Sequence, residues 1–413
     1  MQILLLGYGK EGKSSEAYFQ NHGDEITILD SFTPSDLTKI DTSKYDLVLR
    51  SPSVRPHPGW SSITKYFFDH CPCPIIGVTG TKGKGTTCSI ITTVFQSLGK
   101  KVWLVGNIGN PALDILDKVQ PTDIVVYEMS SFQLWDLEKS PHVAVVLRVE
   151  PDHLNVHKDF AEYVAAKTNI VAHQTAHDYC IYNQQNITST EIAQHSIGQK
   201  IAYPTTQKSQ LLSDTLTALN VPGQHNRENT EAALLAIAAY YDQNLDELLQ
   251  NHGEKIKTAL ASFQGLPHRL EFIRELNQVK YYDDNFSASF PALDVAIAAF
   301  SDQPIVLIAG GQDRGLDLTP TKHRIFDTPN VRKVFLIGET SSKLANGEDQ
   351  NRYAIYNSFT DAFKAARRYA EDIAHQENQT VILLMSPGAP SFDMFKNFTE
   401  RGQQFQDLVW GVE

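Results

Sequence analysis

Short runs of aliphatic and β-branched residues alternate with amphipathic stretches along almost the whole chain. The runs fall at 3–6, 25–29, 46–49, 74–78, 101–105, 124–128, 143–149 and 179–182, then at 279–282, 305–309, 331–337 and 381–385. Between them come helical patterns, among them Ile90, Ile91, Val94, Phe95 and Leu98, closed by Gly99, and the stretches 229–241 and 359–373. Strand runs that alternate with helices predict α/β domains with mainly parallel sheets. Two breaks divide the pattern. Pro52, Pro56, Pro58, Pro72 and Pro74 punctuate the first, and Phe263-Gln264-Gly265-Leu266-Pro267 marks the second. Three domains are predicted, 1–72, 73–264 and 265–413. There is no internal repeat and no low-complexity tract.

A chain of 413 residues is too long for one core, which agrees with that division. Its 41% hydrophobic and 20% charged residues are those of a soluble globular protein. A net charge of −12 argues against a nucleic-acid partner, because phosphate backbones attract basic surfaces; small anions remain possible at local sites. The opening Met1-Gln2-Ile3-Leu4-Leu5-Leu6-Gly7 has no basic flank, and its apolar run is too short for a secretory signal. No uninterrupted apolar run approaches the ~18 residues of a membrane span. Four cysteines (Cys71, Cys73, Cys88, Cys180) frame neither a disulfide scaffold nor a zinc site, since Cys71-Pro-Cys73 has no second pair. The expectation is a cytoplasmic monomer acting on small molecules, with no membrane or nucleic-acid partner.

Candidate chemistry concentrates after the strand at 74–78, in Gly77-Val78-Thr79-Gly80-Thr81-Lys82-Gly83-Lys84-Gly85-Thr86-Thr87. Strand, glycine turn and helix start are the parts that cradle polyphosphate. Backbone N–H groups approach the oxygens, the helix dipole favours the anion, and Lys84 adds a full charge. The strict pattern G-x4-G-K-[ST] is not met: Gly77 lies one residue early, and Gly85 follows the lysine, leaving Thr86 to reach Mg²⁺. The segment reads as an ATP site. Gly7-Tyr8-Gly9-Lys10-Glu11-Gly12 forms a second glycine turn, G-x-G-x-x-G after a strand, and Asp30 ends the next strand. This motif suits any nucleotide diphosphate, and it also occurs as a bare βα turn.

Glu128 ends the run 124–128, where a carboxylate beside the phosphate loop is placed to hold Mg²⁺. Asp152-His153 follows the next strand and should emerge at the same sheet edge. His153 and His157 have helical zinc spacing, but no further ligand completes that site. Lys167, in Tyr163-Val164-Ala165-Ala166-Lys167, reads from pattern alone as a solvated helix lysine.

Together these segments resemble the Mur ligase superfamily of ATP-dependent amide-bond-forming enzymes. The resemblance spans nearly the whole chain. Besides the phosphate loop it includes Gly106-Asn107-Ile108-Gly109, Glu128-Met129-Ser130-Ser131-Phe132-Gln133-Leu134, Asp152-His153-Leu154, Ala165-Ala166-Lys167, Gly223-Gln224-His225-Asn226-Arg227-Glu228-Asn229, Gly265-Leu266-Pro267-His268-Arg269, Gly310-Gly311-Gln312-Asp313-Arg314-Gly315, and Ser391-Phe392-Asp393-Met394-Phe395-Lys396-Asn397-Phe398. It implies a Rossmann-like UDP-binding domain, a central P-loop ATPase domain with a mainly parallel sheet, and a Rossmann-like amino-acid-binding domain. The branch it implies adds D-glutamate to UDP-N-acetylmuramoyl-L-alanine through an acyl phosphate, in peptidoglycan precursor synthesis.

The roles implied by resemblance follow residue by residue. Gly9, Lys10, Glu11, Gly12, Asp30 and Ser53 serve the UDP moiety, and Asn107, Ser130, Gln133 and His153 the sugar-peptide. Gly80, Thr81, Lys82, Gly83, Lys84, Gly85, Thr86 and Thr87 hold the ATP phosphates, with Arg269. Asn226, Asn229 and His268 lie near adenine, and Asp284 near ribose. Two Mg²⁺ ions are implied, held by Thr86, Glu128, His153 and Lys167, the last as a carbamate. Arg314, Ser391, Phe392 and Phe398 line the amino-acid site. The sequence departs from the family in three places: Gly83-Lys84-Gly85-Thr86 is more like folylpolyglutamate synthetase, the family's Ser-Pro-Gly appears as Ser51-Pro52-Ser53, and Phe286 and Ala288 replace a lysine and a threonine. The alternatives are a folylpolyglutamate synthetase-like ligase, a Mur ligase that adds L-glutamate, an NAD-dependent dehydrogenase built on Gly7–Gly12, and a non-catalytic nucleotide-binding regulator.

Overall fold

The computed structural model describes residues 1–30 and 40–412. The fold is α/β, with three separate sheets. In the first, β1 (Gln2–Leu6), β2 (Glu25–Leu29), β3 (Leu47–Arg50) and β4 (Ser61–Ser62) pair in parallel in the order β2-β1-β3-β4. The second holds β5 (Ile75–Thr79), β6 (Val102–Gly106), β7 (Ile124–Glu128), β8 (Val143–Val146), β9 (Tyr179–Asn183) and β10 (Gln199–Tyr203), all parallel, in the order β10-β9-β8-β5-β7-β6. The third holds β11 (Glu271–Leu276), β12 (Val279–Asp283), β13 (Ile305–Gly310), β14 (Val331–Ile337), β15 (Tyr353–Tyr356) and β16 (Val381–Met385), in the order β11-β12-β16-β13-β14-β15. Only its edge pair β11–β12 is antiparallel.

Parallel strands need crossover helices, and those helices cover both faces of the sheet. That is why β5, β7, β8, β13 and β16 are buried at every residue. Alternation along the third sheet makes two cores. Leu307, Ala309, Val334, Leu336 and Leu384 pack on one side with the helices Phe290–Ala298 and Thr319–Phe326. Val306, Ile308, Phe335, Ile337 and Met385 pack on the other with the helix Phe359–Glu377.

The chain divides into two compact units, one of residues 1–219 and 227–261, the other of 220–226 and 262–413. The first two sheets lie in the first unit and share a core: Phe67 and Phe68, on the helix Ile63–His70, meet Tyr127 of β7 with ring centroids 5.7 and 5.8 Å apart. Arg50, wholly buried at the end of β3, forms an ion pair with Asp136 and donates to Phe132 O at 3.2 Å and Val54 O at 3.0 Å.

Several boundaries differ from the sequence reading. The run 143–149 ladders only as far as Val146; Leu147 N then donates to Thr79 O, and Thr81 N to Arg148 O, so the chain peels away toward the phosphate loop. The helix read at 229–241 runs from Gln224 to Tyr240. β10, β11 and β15 are edge strands that are only partly buried; charged or polar residues interrupt the first two, and the third is a run of only four residues, Tyr353–Tyr356.

Candidate active site

In the first unit, β5, β7 and β8 run parallel, so the segments after Thr79, Glu128 and Val146 leave one edge of the sheet together, where open α/β sheets bind ligands. The phosphate loop turns into the helix Lys84–Ser97 with Gly83 at its N-cap. Gly83 has φ of +87°, and a Cβ there would stand 2.6 Å from Asn229 Oδ1, so both conformation and space require glycine. Gly83 offers no side-chain cap to this helix start, whereas Asp159 caps the helix Phe160–Ala172. Lys84 Nζ folds back onto Gly80 O and Thr81 O, 3.0 Å from each. Thr87 is buried and bonds Gly83 O, leaving Thr86 as the more accessible threonine of the first turn; Lys82 is exposed.

Lys167 is not the solvated lysine its local pattern suggests. It is 1% exposed, and its Nζ donates to Thr79 Oγ1 at 3.1 Å and Gly80 O at 3.0 Å. Burial, with the charge of Lys84 added, pushes its pKa well below the ordinary lysine value. The signal was present in the spacing, because Tyr163, Ala166, Lys167 and Ile170 form one buried helical stripe. Thr79, which sequence reading did not single out, also donates to Met129 O at 2.9 Å and so ties the phosphate loop to the segment after Glu128.

Glu128 is buried at the end of β7. His153 emerges at the same edge, half exposed, with φ of +55° and Nε2 3.6 Å from Asp152. His157 separates from it: it is buried, bonds Ser131 Oγ at 2.9 Å and stacks on Phe132, which leaves no paired-histidine site.

The first glycine turn joins this edge. Gly12 packs so closely that a Cβ would collide with Gly7 O, whereas Gly9, at the uncapped start of the helix Lys10–Asn21, faces open space. Lys10 Nζ reaches Gly109 O at 3.1 Å. Gln133 Nε2 donates to Glu11 Oε1 at 2.7 Å, while Gln133 and Ser130 cap one another at the start of the turn Ser131–Leu134. Asn107 N bonds Glu128 O at 3.2 Å. Burial raises the pKa of Glu11 to about 6. Asp30 accepts from Tyr8 N at 2.6 Å, and Ser53 Oγ lies 3.0 Å from Ser51 Oγ.

In the second unit, the ends of β12, β13 and β16 lead into Asp284, Gly311 and Ser386. Ser386 Oγ donates to Asp284 Oδ2 at 2.6 Å, and burial raises that carboxyl to about 7. His268, with φ of +60°, sets Nδ1 2.7 Å from Asp283 Oδ2, which raises the imidazole pKa, and the His268 backbone N–H donates to Glu271 Oε2 at 2.8 Å. His268, Glu271 and Asp283 are grouped closely enough for a metal, but Gln406 Nε2 donates to both carboxylates at 3.0 Å and closes the group with hydrogen bonds. Arg269 lies over the Phe286 ring at 4.3 Å, and Phe286 meets Phe398 edge-on at 4.8 Å. Ser391 is buried, while Phe392 and Arg314 are exposed. Asn226 is counted with this unit, its Nδ2 on Pro222 O at 2.6 Å; Asn229 belongs to the first unit.

The Mur ligase middle domain matches residues 78–237, the stretch that carries the phosphate loop, Glu128 and Lys167. The chain belongs to the Mur ligase family of ATP-dependent ligases that form amide bonds. It is similar to the UDP-N-acetylmuramoylalanine–D-glutamate ligase of Acetivibrio thermocellus, 34% identical over 381 residues, covering 86% of this chain and 78% of that one. The enzyme of the same name from Clostridium kluyveri is 30% identical, covering 99% of this chain and 96% of the other. In fold the chain is also similar to the folylpolyglutamate synthase of Mycobacterium tuberculosis, with a TM-score of 0.59 and 14% identity over 85% of this chain and 95% of that one; this likeness is one of architecture alone. Among the described residues no helix is long and apolar enough to cross a membrane.

Proposed function

We propose that this chain joins D-glutamate to the terminal carboxylate of UDP-N-acetylmuramoyl-L-alanine at the expense of ATP, in cytoplasmic peptidoglycan precursor synthesis. The observation that carries this reading over a folate-directed ligase is the Gln133–Glu11 bond, which joins a diphosphate-type glycine turn to the strand end bearing Glu128. An NAD-dependent dehydrogenase would leave the phosphate loop and Glu128 without a role. In the proposed division, residues 1–72 take UDP through Gly9–Gly12, 73–264 take ATP, and 265–413 take the amino acid through Arg314, Ser391, Phe392 and Phe398.

The donors at the β5–β7 edge suit Mg²⁺. The Thr86 hydroxyl and the Glu128 carboxylate are hard oxygens, and Lys167 joins them as a carbamate, because burial lowers the pKa of its amine and so favours the unprotonated form that reacts with CO₂. His153 completes a second position. Mg²⁺ held by these residues would neutralise charge gathering on the phosphoryl oxygens. Lys84 swings from Gly80 O and Thr81 O onto the transferred phosphate, and the N–H groups of the helix start receive its neighbours. The substrate carboxylate attacks the γ-phosphorus and expels ADP, giving an acyl phosphate. The amino group of glutamate then attacks the acyl carbon, loses a proton, and expels phosphate.

Trapping tests the sequence of steps. With UDP-N-acetylmuramoyl-L-alanine, ATP and hydroxylamine in place of the amino acid, the enzyme should form ADP and the corresponding hydroxamate. Lys84→Ala should lower that rate about 10²–10³-fold, the usual loss for a charge-stabilising donor. ADP formation without the UDP substrate and with no hydroxamate would contradict the reading.

A further inference from the structure

The last helix, Phe398–Trp410, turns two consecutive unusual residues toward the ligand loops of the second unit. Arg401 is wholly buried, yet its hydrogen bonds end on amide oxygens: Nη2 donates to Ala389 O at 3.1 Å and Asn285 O at 3.4 Å, Nη1 to Pro390 O at 3.5 Å, and Nε to Asn285 Oδ1. Among the described residues no carboxylate pairs with it directly, although the charges of Asp393 and Asp283 favour its protonated form, and burying a guanidinium held by amide oxygens is unfavourable for the fold taken alone. The acceptors are the residue after Asp284 and the two residues before Ser391, so one side chain spans the proposed ribose and amino-acid loops. Gly402 follows. Glycine weakens a helix interior, but here a Cβ would collide with Nδ1 and Cε1 of His268. One turn further on, Gln406 binds the two carboxylates that hold His268.

We propose that this helix face is a positioning device: Arg401 sets the Asp284-Asn285 loop against the Ala389–Ser391 loop, and Gly402 seats the His268 imidazole. The proposal rests on the proposed function together with the roles the resemblance implies, His268 near adenine, Asp284 near ribose and Ser391 at the amino acid. Arg401 and Gly402 are positioning residues, since neither has to touch a substrate.

The test compares R401K, which keeps the charge and loses the planar fork, with G402A, H268A and the double variant G402A/H268A. R401K should raise KM for both ATP and glutamate about tenfold or more, as small displacements in a site do, and leave KM for the UDP substrate unchanged. G402A should weaken ATP binding in calorimetry. In the H268A background the added methyl has no ring to displace, so G402A should then change neither ATP affinity nor melting temperature. Q403A, on the exposed side of the same helix, should behave as wild type. Should R401K fail to fold, N285A removes its Nε acceptor and carries the same expectation. Wild-type KM values in R401K, or simply additive effects of G402A and H268A, would overturn the proposal. A wild-type enzyme with no ligase turnover would sink the functional assignment instead, and the melting temperatures of the Gly402 and His268 variants would still decide the seating.

Discussion

Lys167 shows how far a single residue can be read. Ala165-Ala166-Lys167 looks like an exposed helical turn, and only the apolar positions three and four residues before Lys167, and three after it, reveal that the lysine shares the buried stripe. Burial and the charge of Lys84 lower its pKa in the folded chain well below the ordinary lysine value of 10.5 that it regains on unfolding. Unfolding therefore takes up a proton, and this group's contribution to stability rises with pH toward that value and falls as pH drops. In CO₂-free buffer the stability of the wild type, from urea unfolding, should climb between neutral pH and about pH 10 more steeply than that of Lys167→Met, by up to ~1.4 kcal/mol per pH unit. Parallel slopes would show that the amine is charged where it lies. Restoring bicarbonate should raise ligase activity in the wild type and not in Lys167→Met, as carbamylation requires. Other residues were less legible. Thr79 and Arg401 act through main-chain oxygens of segments distant in sequence, and no local pattern encodes such partners.

Among elements, legibility followed burial. The fully buried strands β5, β7 and β16 were readable as apolar runs, as was the mostly buried β14, and β7, β14 and β16 begin and end where the sequence puts them. β10 was not, because an edge strand needs no continuous apolar face, nor was β15, whose apolar run Tyr353–Tyr356 is only four residues long, and β11 owes its place to antiparallel pairing with β12 rather than to its own composition. The phosphate loop was readable for a different reason. Glycine and lysine clustered after a strand have a specific physical use, and Gly83 meets two demands at once, a left-handed φ and the close approach of Asn229. Gly83→Ala should destabilise the fold by about 1–2 kcal/mol from the backbone alone and should also raise KM for ATP, as Asn229 is displaced. An unchanged melting temperature would mean that the turn relaxes freely.

For the whole molecule, three sheets in two compact units give the ligase three sets of strand-end loops. Each set pairs a recognisable turn with side chains that arrive from elsewhere: Glu11 with Gln133, Lys84 with Lys167, Asp284 with Ser386. The family could be read from those turns, because phosphate chemistry restricts their residues. Glutamate was read from the resemblance at Arg314, Ser391 and Phe392, but its D configuration was not legible in any residue, and Phe286 and Ala288 depart from the family's pattern, with Arg269 resting on the Phe286 ring. The central claim is therefore tested most directly by phosphate release with ATP and UDP-N-acetylmuramoyl-L-alanine against a panel of amino acids, with the products weighed by mass spectrometry. D-Glutamate should support turnover and yield a product heavier by one glutamyl residue, while L-glutamate and neutral amino acids should not. Turnover with L-glutamate or a neutral amino acid in preference to D-glutamate would contradict the account.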